Sequence, residues 1–443
     1  MFLRLLASVR SFAGQNPWRN RYTQGAAKLA FSVMIAQGIT FIGSLILARF
    51  FYPPETQDQM AGFLWLVYTL TPLATMRYDI GIVMPKGERG AGQVFRLSVL
   101  SALVLAGLSI PVILVCGILN FGPWSNLLWV PVSILTQGFT NTFIGWCNRR
   151  HFFGMQSTTR VILAAFYPLL AVLFFFIWGP RATNLPASFT LAGLLGAAIF
   201  ALLLYRTGTL PSLSWASLQW RRLIHTASRY RHLPLLNVPS YTLNMASLVV
   251  LVSSLQHFSA GTSASFNLIY QILRVPSMLV GMAIGQVFTA KAATLLGNSR
   301  ELRRLTLITI SGLSVLAIPF GLLFTFWGKS IIALVYGPAW SDAGAFSCWL
   351  VWGAACALIT TPLSVAPTLL KGNRGQLIFT IVIASSRCLL SWLTVRYDSP
   401  WILVIGSTCI DIVSTMLFLG FVLWLLKRPA TLPSLQPATP SPH

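Results

Sequence analysis

The chain has 443 residues, 55% of them apolar, and carries 31 Lys and Arg against 8 Asp and Glu for a net charge of +23. Its mean hydropathy is +0.72. The apolar runs are continuous rather than alternating, which excludes a β-barrel. The basic residues are scattered over separate loops without a nucleic-acid-binding motif, which excludes nucleic acid as a partner.

A spanning helix needs about 20 mostly apolar residues, because each rises ~1.5 Å through a hydrocarbon core ~30 Å thick. Twelve stretches qualify: 27–49, 60–84, 94–119, 124–147, 156–178, 184–205, 233–255, 264–289, 305–327, 342–369, 376–395 and 400–426. The connectors are short and rich in turn residues, as in Gly179-Pro180 and Gly372-Asn373-Arg374-Gly375. The expected fold class is all-α integral membrane, with twelve transmembrane helices in two parallel six-helix lobes. Residues 1–26 form an interfacial or cytoplasmic segment, in which Arg4 and Arg10 break up the apolar Phe2, Leu3, Leu5 and Leu6. That pattern suits an amphipathic interfacial helix better than a signal peptide. The N-lobe spans 27–206, a cytoplasmic connector 207–232, the C-lobe 233–428, and a disordered Pro-, Ser- and Thr-rich tail 429–443.

Placing successive loops on alternate sides puts 24 of the 31 Lys and Arg, Arg149, Arg150 and Arg160 among them, on the side of the N-terminus. The other side holds only Arg49, Arg181, Lys329 and Arg396. Cytoplasmic loops carry the excess of Lys and Arg, so both termini are expected in the cytoplasm. The basic face would meet anionic membrane lipids. Six cysteines lie in or beside spans without a C-x-x-C pair, so they read as small buried hydrophobes, with no metal, disulfide or cofactor implied.

An even number of spans per half makes the two halves a parallel repeat. Pro72 and Pro276, and likewise Pro111 and Pro319, occupy matching depths in the two halves. Interrupted helices at corresponding positions point to a transport site, although prolines are also common in membrane helices.

Five ionisable residues fall within spans: Arg77, Asp79, Arg274, Arg387 and Asp411. Each costs roughly 2.5–3.5 kcal/mol at a helix centre and so needs a partner or water. Arg387 and Asp411 reach similar depth on adjacent antiparallel spans and read as a structural ion pair locking the hairpin, with a role in transport as the alternative. Arg77 lies near the cytoplasmic surface, and Asp79 points to a different helix face. Arg274 sits ~15 Å into span eight with no obvious partner, which invites a phosphate or carboxylate. Three bases against two acids leave one excess positive charge within the spans, favouring an anionic cargo. Gln37, Gln137, Asn244, Asn267 and Gln271 would line a hydrated cavity or make interhelical hydrogen bonds. No Walker A motif is present, and no large outer loop carries paired carboxylates.

The segments Leu47-Ala48-Arg49-Phe50-Phe51-Tyr52-Pro53-Pro54-Glu55 and Met76-Arg77-Tyr78-Asp79-Ile80-Gly81 resemble the first helical hairpin of polysaccharide repeat-unit flippases. That family lies within the multidrug/oligosaccharidyl-lipid/polysaccharide exporter superfamily. Further resemblance lies in Arg274-Val275-Pro276, Gly285-Gln286-Val287-Phe288, Tyr336-Gly337-Pro338-Ala339-Trp340, Pro362-Leu363-Ser364 and Gly372-Asn373. The extra residues Thr56 to Ala61 depart from the pattern at the first outer turn. The resemblance implies a central cationic cavity lined by helices one, two, seven and eight, with Arg77 and Arg274 as its pyrophosphate-binding residues. It also implies a location in the bacterial inner membrane and a cargo of lipid-linked oligosaccharide for lipopolysaccharide, capsule or exopolysaccharide assembly. Polysaccharide polymerase or assembly proteins would be partners. Asp79 is then the candidate for proton or sodium coupling. The alternatives are a small-molecule antiporter, which needs acids for cationic cargo, and a membrane polymerase or ligase, which needs a catalytic outer loop.

Overall fold

A computed structural model describes residues 21–426 apart from 86, 120–123, 212–219, 232, 296–297, 365 and 370–372. The expected amphipathic segment as far as residue 20 and the expected tail at 429–443 lie outside the described residues, as do Lys86, Lys371 and Gly372. The described chain is helical, with no strand among the described residues.

Among the described residues, twelve helices of 18 residues or more coincide one for one with the expected spans. They are α1 (Arg21–Ile46), α2 (Pro54–Thr75), α3 (Glu88–Ile118), α4 (Val130–Arg150), α5 (Phe153–Trp178) and α6 (Asn184–Arg206). The second set is α7 (Val238–Leu255), α8 (Thr262–Thr294), α9 (Ser299–Tyr336), α10 (Ser341–Thr360), α11 (Asn373–Arg396) and α12 (Pro400–Leu425). Nine of the twelve are long and apolar enough to cross a membrane on their own account. The three that are not, α2, α4 and α8, carry polar groups such as Gln137 and Gln271 that face an internal cavity instead of lipid. A short helix, Trp220–Arg229, lies in the connector and packs on α3.

The outer face of the bundle is apolar in a way no soluble protein tolerates. Along α3 the exposed side chains include Leu103, Val104, Leu108, Ile110, Val112, Leu114, Val115 and Ile118. Lipid accepts such a face at no cost. It also corrects the expectation for the cysteines: only Cys147 is buried, while Cys388 and Cys409 are exposed, since lipid suits a thiol as well as a core does. Inside, one apolar core unites Tyr52, Phe63, Ala74, Ala102, Ile134 and Leu185 from the first half. A second joins Leu251, Phe266, Tyr336, Trp340, Leu350 and Leu403 from the second half to Ala48, Ala61 and Trp65 from the first.

Three expected boundaries change. Span two is not one continuous helix: α2 ends at Thr75, Met76 and Arg77 adopt left-handed backbone angles, and a single turn follows at Tyr78–Gly81. Non-glycine residues pay about 1–2 kcal/mol each for that conformation. Compensation comes from a buried hydrogen bond, in which the Thr75 hydroxyl donates to Asp79 Oδ1 at 2.8 Å. Span ten breaks after Thr360, passing through a tight turn at Thr361–Leu363, because Pro362 lacks the amide that would continue the ladder. The extra residues Thr56 to Ala61 form no outer loop, since α2 begins at Pro54 and absorbs them in its first turns. The four mid-span prolines, Pro72, Pro111, Pro276 and Pro319, all lie inside helices.

Candidate functional site

A cavity of about 610 Å³ lies between the two halves. Gln37, Thr40 and Ser44 of α1, Trp65 and Tyr68 of α2, and Gln137 of α4 line one part of it. Arg160 and Tyr167 of α5, Phe189 of α6, and Tyr270, Gln271 and Arg274 of α8 line the rest. No lining residue is acidic among the described residues. Two guanidinium groups therefore face a space walled by aromatic rings and amides.

Arg274 does not lack a partner. Its Nη2 donates to Asp411 Oδ2 at 2.6 Å, and its guanidinium carbon lies 3.9 Å from the centre of the Tyr270 ring. Arg387, only 7% exposed, reaches the other oxygen, Asp411 Oδ1, at 3.5 Å. The same guanidinium donates from Nη1 to Asn244 Oδ1 at 3.1 Å and to Ser247 Oγ at 3.2 Å. The expected Arg387–Asp411 pair is thus present, but Asp411 is shared and its shorter bond goes to the cavity arginine. Sequence depth placed all three residues at one level and could not say how α8, α11 and α12 are rotated. Gly353 of α10 makes the arrangement fit: a Cβ there would stand 2.6 Å from Asp411 Oδ2. Two guanidinium groups around one carboxylate leave one positive charge over.

Arg160 is the residue that sequence reasoning assigned elsewhere, as a loop charge on the cytoplasmic side. It sits two turns into α5, ~10 Å along the helix, and lines the cavity. Its Nε is buried with no hydrogen-bond partner. None of the ion pairs among the described residues includes it. The signal was there to read, since 160 falls inside the expected span 156–178.

Arg77 is not among the cavity-lining residues. The break after α2 turns it away, and its guanidinium carbon lies 5.0 Å from the centre of the Tyr241 ring. Asp79 is buried and accepts from Thr75. The backbone carbonyl of Asp79 is pressed so closely on α4 that a Cβ at Gly145 would stand 2.3 Å from it. Of the expected polar lining, Gln37, Gln137 and Gln271 face the cavity. Asn267 instead ties helices together, accepting from Trp65 Nε1 and from Gln271 Nε2, both at 2.9 Å. Asn244 serves Arg387.

One end of the cavity is bolted shut by bonds between the halves. Asp58, in the first turns of α2, accepts from the backbone amide of Gly261, from Ser263 Oγ at 2.7 Å and from the amide of Ala264 at 2.7 Å. Arg49 donates to the carbonyls of Leu334 and Val335, and Trp340 Nε1 donates to the Ala48 carbonyl at 2.9 Å. All of these lie at the end where the charge pattern puts the outside.

With this geometry in place, the fold is similar to that of several solved membrane transporters. The chain superposes on the lipid II flippase MurJ in an inward closed conformation, with a TM-score of 0.66 at 13% identity, over 89% of this chain and 86% of that one. An inward-facing multidrug resistance transporter of the MATE family matches with a TM-score of 0.63 at 14% identity, covering 90% and 96% of the two chains. A MOP superfamily transporter from Pyrococcus furiosus, described as having a binding pocket of reverse polarity, matches with a TM-score of 0.59 at 14% identity, over 93% and 98%. A family described as polysaccharide biosynthesis protein matches residues 182–345. No curated protein matches by sequence. The resemblance to the polysaccharide flippases of this superfamily is borne out by these findings.

Proposed function

We propose that the chain is a flippase that carries polyprenyl-pyrophosphate-linked oligosaccharide across the bacterial inner membrane by alternating access, for lipopolysaccharide or exopolysaccharide assembly. The observation that carries this reading is the pairing of Arg160 and Arg274 across one acid-free cavity. A guanidinium grips phosphate bidentately, and in a partly dehydrated space that grip is stronger than in water. Trp65, Tyr68, Tyr167 and Tyr270 present flat faces to sugar rings. Pyrophosphate and the first sugars fit in about 610 Å³, while the polyprenyl tail stays in lipid and the rest of the glycan extends towards the unbolted end.

In this reading twelve crossings leave both termini on one side, which the excess of Lys and Arg assigns to the cytoplasm; the bolted end is then the outer gate and the described state faces inward. Translocation then requires Asp58, Arg49 and Trp340 to release the opposite half. No covalent bond is made or broken. Asp79 is kept as the candidate coupling group, acting at the break in span two through Thr75.

The test is glycan export in cells lacking the gene and complemented with variants. Arg274→Ala and Arg160→Ala should each lower export about tenfold or more, with the protein still in the membrane and lipid-linked glycan accumulating in the inner leaflet. Unchanged export by both variants would sink the reading. The alternative, a cation-coupled small-molecule antiporter, requires acids in the cavity for cationic cargo. Drug efflux that survives both substitutions would favour it.

A further inference from the structure

A second basic cavity lies away from the first, between the start of α3, the end of α4 and the connector. It measures about 390 Å³ and is lined by Glu88, Arg89, Gln93 and Arg96 of α3, Trp146 and Arg150 of α4, and Arg222 of the connector helix. Four arginines face one carboxylate there. Glu88 is already occupied, pairing with Arg150 at 2.9 Å and with Arg149 at 3.3 Å.

Two buried polar groups in this wall have no protein partner. Trp146 is 2% exposed, and its indole Nε1, a donor with no acceptor, is unbonded. Gln93 Oε1, an acceptor, is also buried and unbonded, and adds no donor to the wall. The Arg150 guanidinium lies 5.4 Å from the centre of the Trp146 ring, which holds its charge at the mouth. A buried donor left unpaired costs about 1–3 kcal/mol, so a site with a surplus of donors is suited to an acceptor-rich ligand.

The surroundings say where that ligand would come from. The connector helix Trp220–Arg229 buries Leu223 against the bundle and leaves Trp220 and Ile224 exposed, at 59% and 67%. Arg221, Arg222 and Arg229 flank them on the same short helix. An exposed tryptophan and isoleucine among arginines is the pattern of a helix lying in the headgroup layer. The pocket therefore opens at the depth of lipid phosphates.

We propose that this pocket binds a phosphate group, with Arg89, Arg96, Arg150 and Arg222 as its cationic wall and the Trp146 indole as a neutral donor. The same chemistry is offered by the headgroup of an acidic phospholipid and by free phosphate or pyrophosphate in the cytoplasm. The pocket is separate from the transport cavity, and the proposal does not depend on what that cavity carries.

The test uses the full chain purified in neutral detergent. One arm measures phosphatidylglycerol retained by native mass spectrometry, with phosphatidylcholine as the control, and the other titrates inorganic pyrophosphate calorimetrically. In Arg89→Gln/Arg222→Gln, binding of whichever probe occupies the site should weaken roughly thirtyfold, since each near-surface arginine contributes about fivefold. Glu88→Gln, which frees Arg150, should strengthen it roughly fivefold. Loss of phosphatidylglycerol identifies the lipid as the source, and loss of pyrophosphate alone identifies the soluble ion. If neither probe binds, or if the double variant binds both as wild type does while Glu88→Gln changes nothing, the proposal is overturned. Pyrophosphate or lipid binding that persists in an Arg160→Gln/Arg274→Gln background and is then weakened by Arg89→Gln/Arg222→Gln belongs to this pocket, which separates it from the transport reading.

Discussion

Asp411 shows how far a single residue can be read from sequence and where that reading stops. Its depth on α12 matched that of Arg387, and the ion pair is there at 3.5 Å. Depth is legible because rise per residue is fixed; the direction a side chain faces is not, because it depends on which helices neighbour one another. Hence the shorter contact, to Arg274 at 2.6 Å, was out of reach, and so was the cavity face of Arg160. Substitutions at Asp411 and at Arg160 should have different effects. Asp411→Asn leaves the buried Arg387 and the half-buried Arg274 without a counter-charge and should lower stability by about 3 kcal/mol, seen as a lower unfolding temperature in detergent. Arg160→Gln removes no ion pair, so its unfolding temperature should stay at the wild-type value or rise, while export of glycan falls.

At the scale of elements, the positions of the twelve helices were legible throughout, because length and hydropathy decide them. Their interruptions were legible only in part. Pro362 stood in plain view within span ten and breaks it. The break after α2 rests on Met76 and Arg77 in left-handed angles with no glycine to announce them. What holds that break is contact with another element, Gly145 of α4 against the Asp79 carbonyl. Gly145→Ala should therefore push α4 from the Tyr78–Gly81 turn and cost about 1–3 kcal/mol. Thermal unfolding measures it, and an unfolding temperature equal to wild type would show that the close approach relaxes freely.

For the whole molecule, alternating charge gave a topology that can be checked directly. Alkaline phosphatase fused after Arg181 should be active, and fused after Arg206 inactive; the reverse result would invert the molecule. The ties between the halves at this end were not legible, since Asp58 and Ala264 are 206 positions apart in the chain. Asp58→Ala removes three hydrogen bonds across the halves, each charge-assisted and worth about 1.5–3 kcal/mol when buried. The variant should expose a cysteine placed at Gln37, in a background without native cysteines, to an impermeant maleimide added outside. Labelling no faster than in the Asp58 parent would mean that Asp58 does not hold the gate.

The start of α8 carries a further consequence. Gly261, with φ +92°, opens the helix, and no side chain of its own segment caps it. The carboxylate that caps it belongs to α2, and an alanine at 261 would press its Cβ to 2.7 Å from Pro54 Cβ. This first turn is a borrowed piece of secondary structure, finished only when the other half docks. Opening the gate and beginning to unravel α8 are then the same local event. The amide protons of Gly261 and Ala264 should exchange with deuterium in proportion to the fraction of time this end stands open, and faster in Asp58→Ala, so hydrogen exchange reads the opening equilibrium.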